Sequence, residues 1–469
     1  MSNSLTSWRN RSPGDLSIEL PEVRANPVAP AVQAAVDAAR GWAATSLDGR
    51  VALLKTAQVD IERHKHQLAE GIALETGKPL KEATGEVGAV VAKFDLTIED
   101  AQRYLTDESP TNLHPATVRR RARGPAAVVG PFNFPIHLPH GQIVAHLIAG
   151  NPVVFKPSPL AANVCARYGQ IMSAVFPEGV FNLVQGGGEE GKQLCAHPAI
   201  RSVAFTGSVP VGRQLAAMLA GDFSKDVALE LGGKNAALVC ADADLTKAAD
   251  AIAEAACLTA GQRCNATSRV IVDARVADEL VQRLVASMKK FVPGDPLDER
   301  TTLGPLVSAA AVERYDRVTR AAGGDWLVAP GVPSEVGGKR GHYVGAALLR
   351  LPDRAVAERS ELFRDEAFAP IVTLVASDGE AEMLALHDAT PFGLTASIFT
   401  RSRATFDRLA GQLHVGNVYA NLPTTFSPST LPFGGLGESG NGRPGGRGFV
   451  RFVAEEQVVQ VGRGTLDGA

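Results

Sequence analysis

The sequence predicts an α/β chain of two or more domains, and three observations carry that prediction. Short apolar runs alternate with helical segments from residue 126 to residue 420, the pattern of parallel βαβ units in doubly wound sheets. The alternation falls into two series that meet near residues 231–235. The length of 469 residues also exceeds what one hydrophobic core ordinarily organises.

Before the alternation the chain reads as helices. After Pro30, the residues Val32, Ala35, Val36, Ala39 and Ala43 recur at helical spacing. Leu53, Leu54, Ala57, Ile61, Leu68 and Ile72 form the stripe of a second helix, which Gly77 and Pro79 close in the manner of a C-terminal cap. A third carries Val87, Val90, Val91, Phe94, Ile98 and Leu105 on one face. The first series of strands is expected at 126–129, 153–155, 181–184, 202–205 and 226–229. The second is expected at 236–239, 270–272, 371–375, 396–399 and 417–420, with helices at 245–259, 277–291 and 404–412. Residues 423–448 are rich in Gly, Pro and Ser and read as a long loop lining a site.

Composition narrows the function. A charged fraction of 21% is ordinary for a globular protein, and a net charge of -3 gives no general attraction to nucleic acid or an anionic membrane. The polar first fifteen residues do not resemble a secretory signal, and no apolar run reaches membrane-spanning length. Five scattered cysteines form neither a disulfide framework nor a metal-ligand spacing, so a reducing cytoplasm is the expected compartment. The dense basic run Arg119-Arg120-Arg121 with Arg123 lacks interleaved aromatics and suits an exposed edge strand.

Two segments carry chemistry. Gly261-Gln262-Arg263-Cys264 places a thiol after a small-residue turn, and Glu230-Leu231-Gly232-Gly233-Lys234 places a carboxylate at a strand end. A thiol that attacks a carbonyl and a carboxylate that later activates water are what thioester chemistry requires. Arg263 is adjacent and favours the thiolate if its side chain turns that way. The literal G-x-G-x-x-G at residues 186–191 carries Glu189 and Glu190 where a pyrophosphate would sit, so a plain turn capping a helix is the better reading. Thr206-Gly207-Ser208 follows a strand and opens a helix at residues 211–219, where free amides hold a phosphate or Ser208 simply caps. Lys156 at a strand end reaches ribose or phosphate, or is merely solvated.

Taken in order, Pro131-Phe132-Asn133-Phe134-Pro135, Phe155-Lys156-Pro157-Ser158, Phe205-Thr206-Gly207-Ser208, the Glu230 and Cys264 segments, Glu366-Ala367-Phe368-Ala369-Pro370 and Pro432-Phe433-Gly434-Gly435 resemble the aldehyde dehydrogenases. The likeness runs from about residue 28 to residue 459. Within that family the chain is most similar to the succinylglutamate semialdehyde dehydrogenases, through the run from Gly130 to Pro135, His137-Leu138-Pro139, Val184-Gln185-Gly186-Gly187 and Ser439-Gly440-Asn441.

The resemblance implies Cys264 as nucleophile, Glu230 as general base and Asn133 as oxyanion donor. It implies Phe132, Lys156, Ser158, Gly207, Ser208, Gly212, Leu231, Glu366 and Phe368 on a nicotinamide cofactor. Pro159 stands where many members carry a ribose-binding glutamate, which leaves NADP open beside NAD. A cofactor domain of modified Rossmann type would span residues 1–109 and 124–231, and a catalytic domain 232–444. An oligomerisation element would join 110–123 to 445–469 in a homodimer or homotetramer. A carboxylate-bearing semialdehyde calls for arginine, and Arg263 and Arg443 are the candidates. The alternatives are a broad-range aldehyde dehydrogenase, a CoA-acylating enzyme, which Glu230 opposes, and an inactive member kept as a binding protein.

Overall fold

The computed structural model describes residues 6–109 and 116–462. Its first sheet runs in the spatial order Gly440–Asn441, Asp226–Glu230, Ser202–Thr206, Ala126–Val129, Val153–Lys156, Phe181–Leu183. All neighbours are parallel except Gly440–Asn441, which is antiparallel to Asp226–Glu230. Each crossover carries a helix: His137–Ile148, Ala162–Val175, Gly188–Ala196 and Val209–Leu219. Helices on both faces explain why these strands read as continuous apolar runs. Val128, Phe155 and Ala204 pack into one core, and Val129, Val154 and Val203 into another on the opposite face. Chain order reverses at Ala126–Val129, between Val153–Lys156 and Ser202–Thr206. A crevice opens at the carboxyl ends of strands at such a point.

The second sheet orders Asp325–Val328, Ala347–Arg350, Ile371–Ser377, Thr267–Asp273, Asn235–Val239, Thr395–Phe399, Asn417–Ala420, with only the first strand antiparallel. It has its own core, including Leu238, Ile271, Leu348 and Val372. Asp226–Glu230 ends just before Asn235–Val239 begins. The carboxyl edge of the first sheet therefore meets the amino edge of the second.

A separate ribbon pairs Ala116–Ala122 with Ala454–Gln460, placing Arg119, Arg120 and Arg121 opposite Gln457, Glu456 and Glu455. The basic run lies on this strand and is met by carboxylates, as the Arg120–Glu456 pair at 3.1 Å shows. Residues 110–115 of the expected hairpin lie outside the described residues. Among the described residues no helix is long and apolar enough to cross a membrane.

Several elements differ from the sequence expectation. The second helix is two, Leu47–Arg63 and Lys65–Thr76, interrupted where His64 leaves helical geometry with ψ 8°. The apolar stripe continues across the break, so periodicity alone hides it. Gly77 does close the latter helix in a left-handed conformation, φ 77°. Pro30 lies inside the first helix, Val28–Ala44, in the first turn, where its missing N–H costs nothing. The third helix begins earlier, at Leu80, and the helix after Ser208 begins at Val209. Short strands at Ser7–Trp8, Arg11–Ser12, Asp15–Glu19 and Val23–Arg24 are too brief and polar to show alternation. Asp325–Val328 and Ala347–Arg350 were not expected either, although Ala347, Leu348 and Leu349 form a buried apolar run. Residues 423–448 are a loop that nonetheless contributes Gly440–Asn441 to the first sheet.

One buried ion pair ties the helical layer to the crevice. Lys78 and Glu86 have side chains 1% and 0% exposed. The Glu86 Oε1 also accepts the Ile136 and His137 N–H groups at 3.2 Å each, where His137–Ile148 starts. Glu86→Ala leaves a buried ammonium and two amides unpaired. It should lower unfolding free energy by about 3–5 kcal/mol, read as a lower urea midpoint in circular dichroism; an unchanged midpoint would contradict the assignment.

Candidate active site

The crevice is a cavity of about 1090 Å³ with Asn133, Lys156, Ser208, Glu230, Cys264 and Phe368 among its lining residues. Two groups far apart in sequence, the thiol and the carboxyl, open onto the same space because the two sheet edges meet there.

Glu230 ends its strand opposite Thr206 on one side and Gly440 on the other. Gly207 N–H donates to its carbonyl at 3.0 Å, and Leu231 N–H donates to the Ser439 carbonyl at 3.0 Å. The close antiparallel approach requires Gly440, since a Cβ there would stand 2.0 Å from the Leu229 carbonyl oxygen and its φ is +123°. The Glu230 residue is 1% exposed, and among the described residues neither carboxyl oxygen has a hydrogen-bond partner. Burial pushes this carboxyl up to about 8, against the opposing pull of Arg443 and the Cys264 thiol. Burial thus favours the protonated form of this carboxyl.

Cys264 follows an unusual turn. Thr259 and Ala260 take φ 54° and 52°, a left-handed conformation uncommon for residues with a Cβ. Side chains from several elements hold this segment. Asn235 Nδ2 donates to the Cys264 carbonyl at 2.8 Å and to the Ala266 carbonyl at 2.9 Å. Its Oδ1 accepts from Thr395 N–H and Oγ1 at 3.1 and 3.0 Å. Gln262 Oε1 accepts from Val307 N–H at 3.0 Å. The Gly232-Gly233 pair is explained by crowding: a Cβ at Gly233 would lie 2.2 Å from the Cys264 carbonyl oxygen, and one at Gly232 would lie 2.4 Å from Glu366 Oε2. Burial, then the Glu230 and Glu366 carboxyls, hold the Cys264 thiol in its protonated form, while the Asn265 N–H and Arg263 favour the thiolate less strongly. Cys165, Cys195, Cys240 and Cys257 are all buried.

Asn133 is buried, and its Nδ2 donates to the Gln262 carbonyl at 2.8 Å. That bond uses one of two amide hydrogens and orients the other. Among the described residues, the Cys264 N–H has no hydrogen-bond partner.

The remainder of the cavity suits a dinucleotide. Ser208 precedes Val209–Leu219 without a side-chain cap, and Gly207, Ser208 and Val211 line the cavity. Lys156 ends Val153–Lys156, with Nζ 3.0 Å from the Pro157 carbonyl oxygen. Burial lowers it to about 8, opposed by Glu190. Ser158 Oγ accepts from Leu160 N–H at 3.3 Å. Pro159 lines the same end of the cavity. Phe368, with φ 56°, meets Phe132 edge to face with ring centroids 5.9 Å apart. Glu366 Oε1 accepts from Gly233 N–H at 2.9 Å, and burial pushes its carboxyl up to about 7. In the glycine run, Glu190 Oε2 accepts from Gly187 N–H at 2.7 Å, which is helix capping. Gly187, Gly188 and Glu189 still line the cavity.

Three expected site residues lie elsewhere. Gly212 is not on the cavity; a Cβ there would strike Leu231 Cδ2 at 2.6 Å, so its bareness seats the helix against Leu231. Arg263 is engaged by Glu82 at 2.7 Å and lies 5.0 Å from the centroid of the Phe134 ring. Arg443 donates from Nη2 to the Gly416 and Pro432 carbonyls and to Asn417 Oδ1. Conversely, Asn235, Gln262 and Arg314 belong to the site but were not singled out. Asn235 and Gln262 adjoin the two motifs, which was the available signal. Arg314, which donates to the Glu366 carbonyl, sits on the polar helix Ala309–Arg320 and reads as a solvated face.

Comparison with known proteins agrees with this geometry. The model of the aldehyde dehydrogenase family matches residues 2–459. The chain is 38% identical over 428 residues to N-succinylglutamate 5-semialdehyde dehydrogenase of Ectopseudomonas mendocina, covering 88% of this chain and 85% of that protein. An NAD-dependent aldehyde dehydrogenase from Sinorhizobium meliloti superposes with TM-score 0.92 at 30% identity, covering 98% and 92% of the two chains. A glyceraldehyde-3-phosphate dehydrogenase from Methanocaldococcus jannaschii, complexed with NADP, does so with TM-score 0.89 at 29% identity, covering 98% and 99%.

The buried carboxyl has a thermodynamic signature. Its folded pKa of about 8 lies above the unfolded value, so the folded state binds the proton more tightly. Its contribution is fully present below the unfolded pKa of about 4.3 and is lost as pH rises through about 8. Glu230→Gln should therefore melt increasingly above the unsubstituted protein as pH rises from 5 to about 9, as measured by calorimetry. A melting-temperature gap independent of pH would contradict the assignment.

Proposed function

The chain belongs to the aldehyde dehydrogenase family and is an NAD(P)-dependent aldehyde-oxidising enzyme, and on that premise we propose that its substrate is a semialdehyde bearing a carboxylate, of the succinylglutamate semialdehyde class. The observation that carries the chemistry is the opening of Cys264, Glu230 and Asn133 onto one cavity. The substrate class rests on the similarity to N-succinylglutamate 5-semialdehyde dehydrogenases over about nine-tenths of the chain.

Cys264 Sγ adds to the aldehyde carbon, and its proton leaves through Glu230 or solvent. The oxygen of the resulting thiohemiacetal takes up negative charge. The second Asn133 amide hydrogen and the unpartnered Cys264 N–H are prearranged donors for it, and such a donor is worth about 3 kcal/mol in the transition state. A nicotinamide, when bound, would supply the hydride acceptor. Lys156, Ser158, Gly207, Ser208 and Leu231 would hold the dinucleotide, with Glu366, Phe132 and Phe368 at the ring end. Hydride loss leaves an acyl thioester on Cys264. Glu230, in its carboxylate form, takes a proton from water as the water oxygen attacks the thioester carbon. The C–S bond then breaks and the acid departs. A carboxyl placed to do this favours hydrolysis over transfer to CoA.

The ribbon of Ala116–Ala122 and Ala454–Gln460, with Val458 64% exposed, is the surface on which copies of the chain would join.

A panel of semialdehydes and matched neutral aldehydes, assayed first with NAD and then with NADP, tests the reading. The expectation is at least a tenfold higher kcat/KM for the carboxylate-bearing members and free acid, not acyl-CoA, when CoA is added. Equal efficiency across the panel would favour a broad-range enzyme. Pro159 offers no carboxylate to repel a 2′-phosphate, so measurable turnover with NADP is expected as well. Arg263 is neutralised by Glu82 and braces the nucleophile segment. Arg263→Ala should lower kcat while leaving the preference for acidic over neutral aldehydes unchanged, and a lost preference would restore it to the substrate.

A further inference from the structure

We propose that His137 and Ser429 receive the carboxylate of the semialdehyde and so set a preference for acidic aldehydes; the inference rests on a semialdehyde being the substrate. Contacts between distant segments place this pair beside the reacting groups. Asn133 Nδ2 donates to the Gln262 carbonyl at 2.8 Å, two residues before Cys264. Asn265, the residue after Cys264, donates from Nδ2 to Ser427 Oγ at 3.0 Å, and its carbonyl accepts from Thr424 Oγ1 at 2.7 Å. Ser429 follows on the same loop, and its Oγ stands 3.5 Å from His137 Nε2. His137 opens the helix that Asn133 precedes, and its neighbour Leu138 lines the cavity with Asn133 and Cys264. The contacts form a closed circuit, from Asn133 through the nucleophile segment and the loop to His137, four residues on from Asn133.

The separation of Ser429 and His137 exceeds the length of a well-made hydrogen bond, about 2.8–3.0 Å, so both groups can take a better acceptor. Burial, then Lys93, Lys78 and Arg263, push His137 down to about 3. A neutral imidazole still carries one N–H donor, and the serine hydroxyl supplies another. Hydrogen bonds from such donors to a carboxylate are roughly twice as strong as those between neutral groups. Positive charge lies close by. Lys78 pairs with Glu86, and Arg263 with Glu82 at 2.7 Å. Among the described residues, that leaves Lys93 as the cation of the three without a carboxylate of its own. Its Nζ donates to the Gly446 carbonyl at 2.7 Å, and the carboxyl acting on it, Asp100, is paired with Arg447 at 3.1 Å. Burial lowers Lys93 to about 8, so it is mostly charged at neutral pH. It runs along the face of the helix that His137 opens. A Cβ on Gly141, one turn beyond His137, would lie 3.0 Å from Lys93 Cε and 3.7 Å from its Nζ. Burying an ammonium against neutral groups is unfavourable, and one substrate carboxylate would balance it.

The test is the ratio of kcat/KM for acidic over neutral aldehydes. Full-length enzyme would be assayed at pH 7 with saturating NAD. The acidic substrates are succinate, glutarate and adipate semialdehydes; butanal, pentanal and hexanal are the neutral ones of matching length. Ser429→Ala and His137→Leu should each lower the ratio by about tenfold, the size expected for a lost bond to a charged group, with the loss in KM for the acids and not in kcat. His137→Gln, which keeps a side-chain N–H, should restore part of it. A ratio unchanged in both variants, or a loss shared equally by acidic and neutral aldehydes, would overturn the inference. Ser429 lies on a half-exposed stretch of loop, so its variant decides the matter if His137→Leu does not fold. The unsubstituted protein separates the two readings. If it shows no preference for the acids, the semialdehyde reading fails and takes this inference with it; if it shows one that Ser429→Ala retains, only the present inference fails.

Discussion

A carboxyl group sealed between two sheet edges, with no hydrogen-bond partner for either oxygen among the described residues, is the constraint on which this molecule depends. Burying such a group is unfavourable unless it stays neutral. Its tolerance follows from how it is built in. Glu230 is the last residue of a central strand, pinned by a parallel neighbour on one side and by Gly440 on the other. The backbone leaves the side chain nowhere to go but the cavity. In the proposed role of base, such a group prefers protonation yet ionises to act, and a pKa near the operating pH is the condition for efficient proton transfer.

The two sheets have different tasks in this arrangement. The first supplies a rigid carboxyl edge, where Lys156, Thr206 and Glu230 all end strands, and a helix amino terminus behind Ser208. The second supplies the proposed nucleophile, Cys264, from a segment that precedes a strand, not one that follows it. Such a segment has no ladder of its own. It is held instead by Asn235, Gln262 and the Arg263–Glu82 pair. The paired glycines after Glu230 let the two halves come this close, because any side chain at Gly233 would collide with the Cys264 carbonyl.

Much of this was legible in the residues, and the parts that were not have physical reasons. Strands buried on both faces announce themselves as apolar runs, so the ten expected strands stand where the alternation placed them. Cys264 and Glu230 were visible because the first follows a small-residue turn ending at Gly261 and the second ends a strand that opens onto Gly232-Gly233. Their meeting was not visible, since it depends on how two sheets abut. Arg263 and Arg443 looked like substrate ligands because an arginine near a reactive thiol advertises charge. Only the structure shows that Glu82 has claimed the first and that neutral acceptors surround the second. Gly212 looked like part of a phosphate loop, but its missing side chain makes room for Leu231. The break at His64 and the short amino-terminal strands left no trace, because neither interrupts an apolar pattern.

The most direct measurement is intact-protein and peptide mass spectrometry of Glu230→Gln mixed with NAD and a semialdehyde, then quenched in acid within a turnover. One equivalent of acyl group should accumulate on the peptide containing Cys264, with one equivalent of reduced cofactor, while the unsubstituted protein shows little. No adduct, an adduct on another residue, or a Glu230→Gln protein that releases acid as fast as its parent would contradict the account.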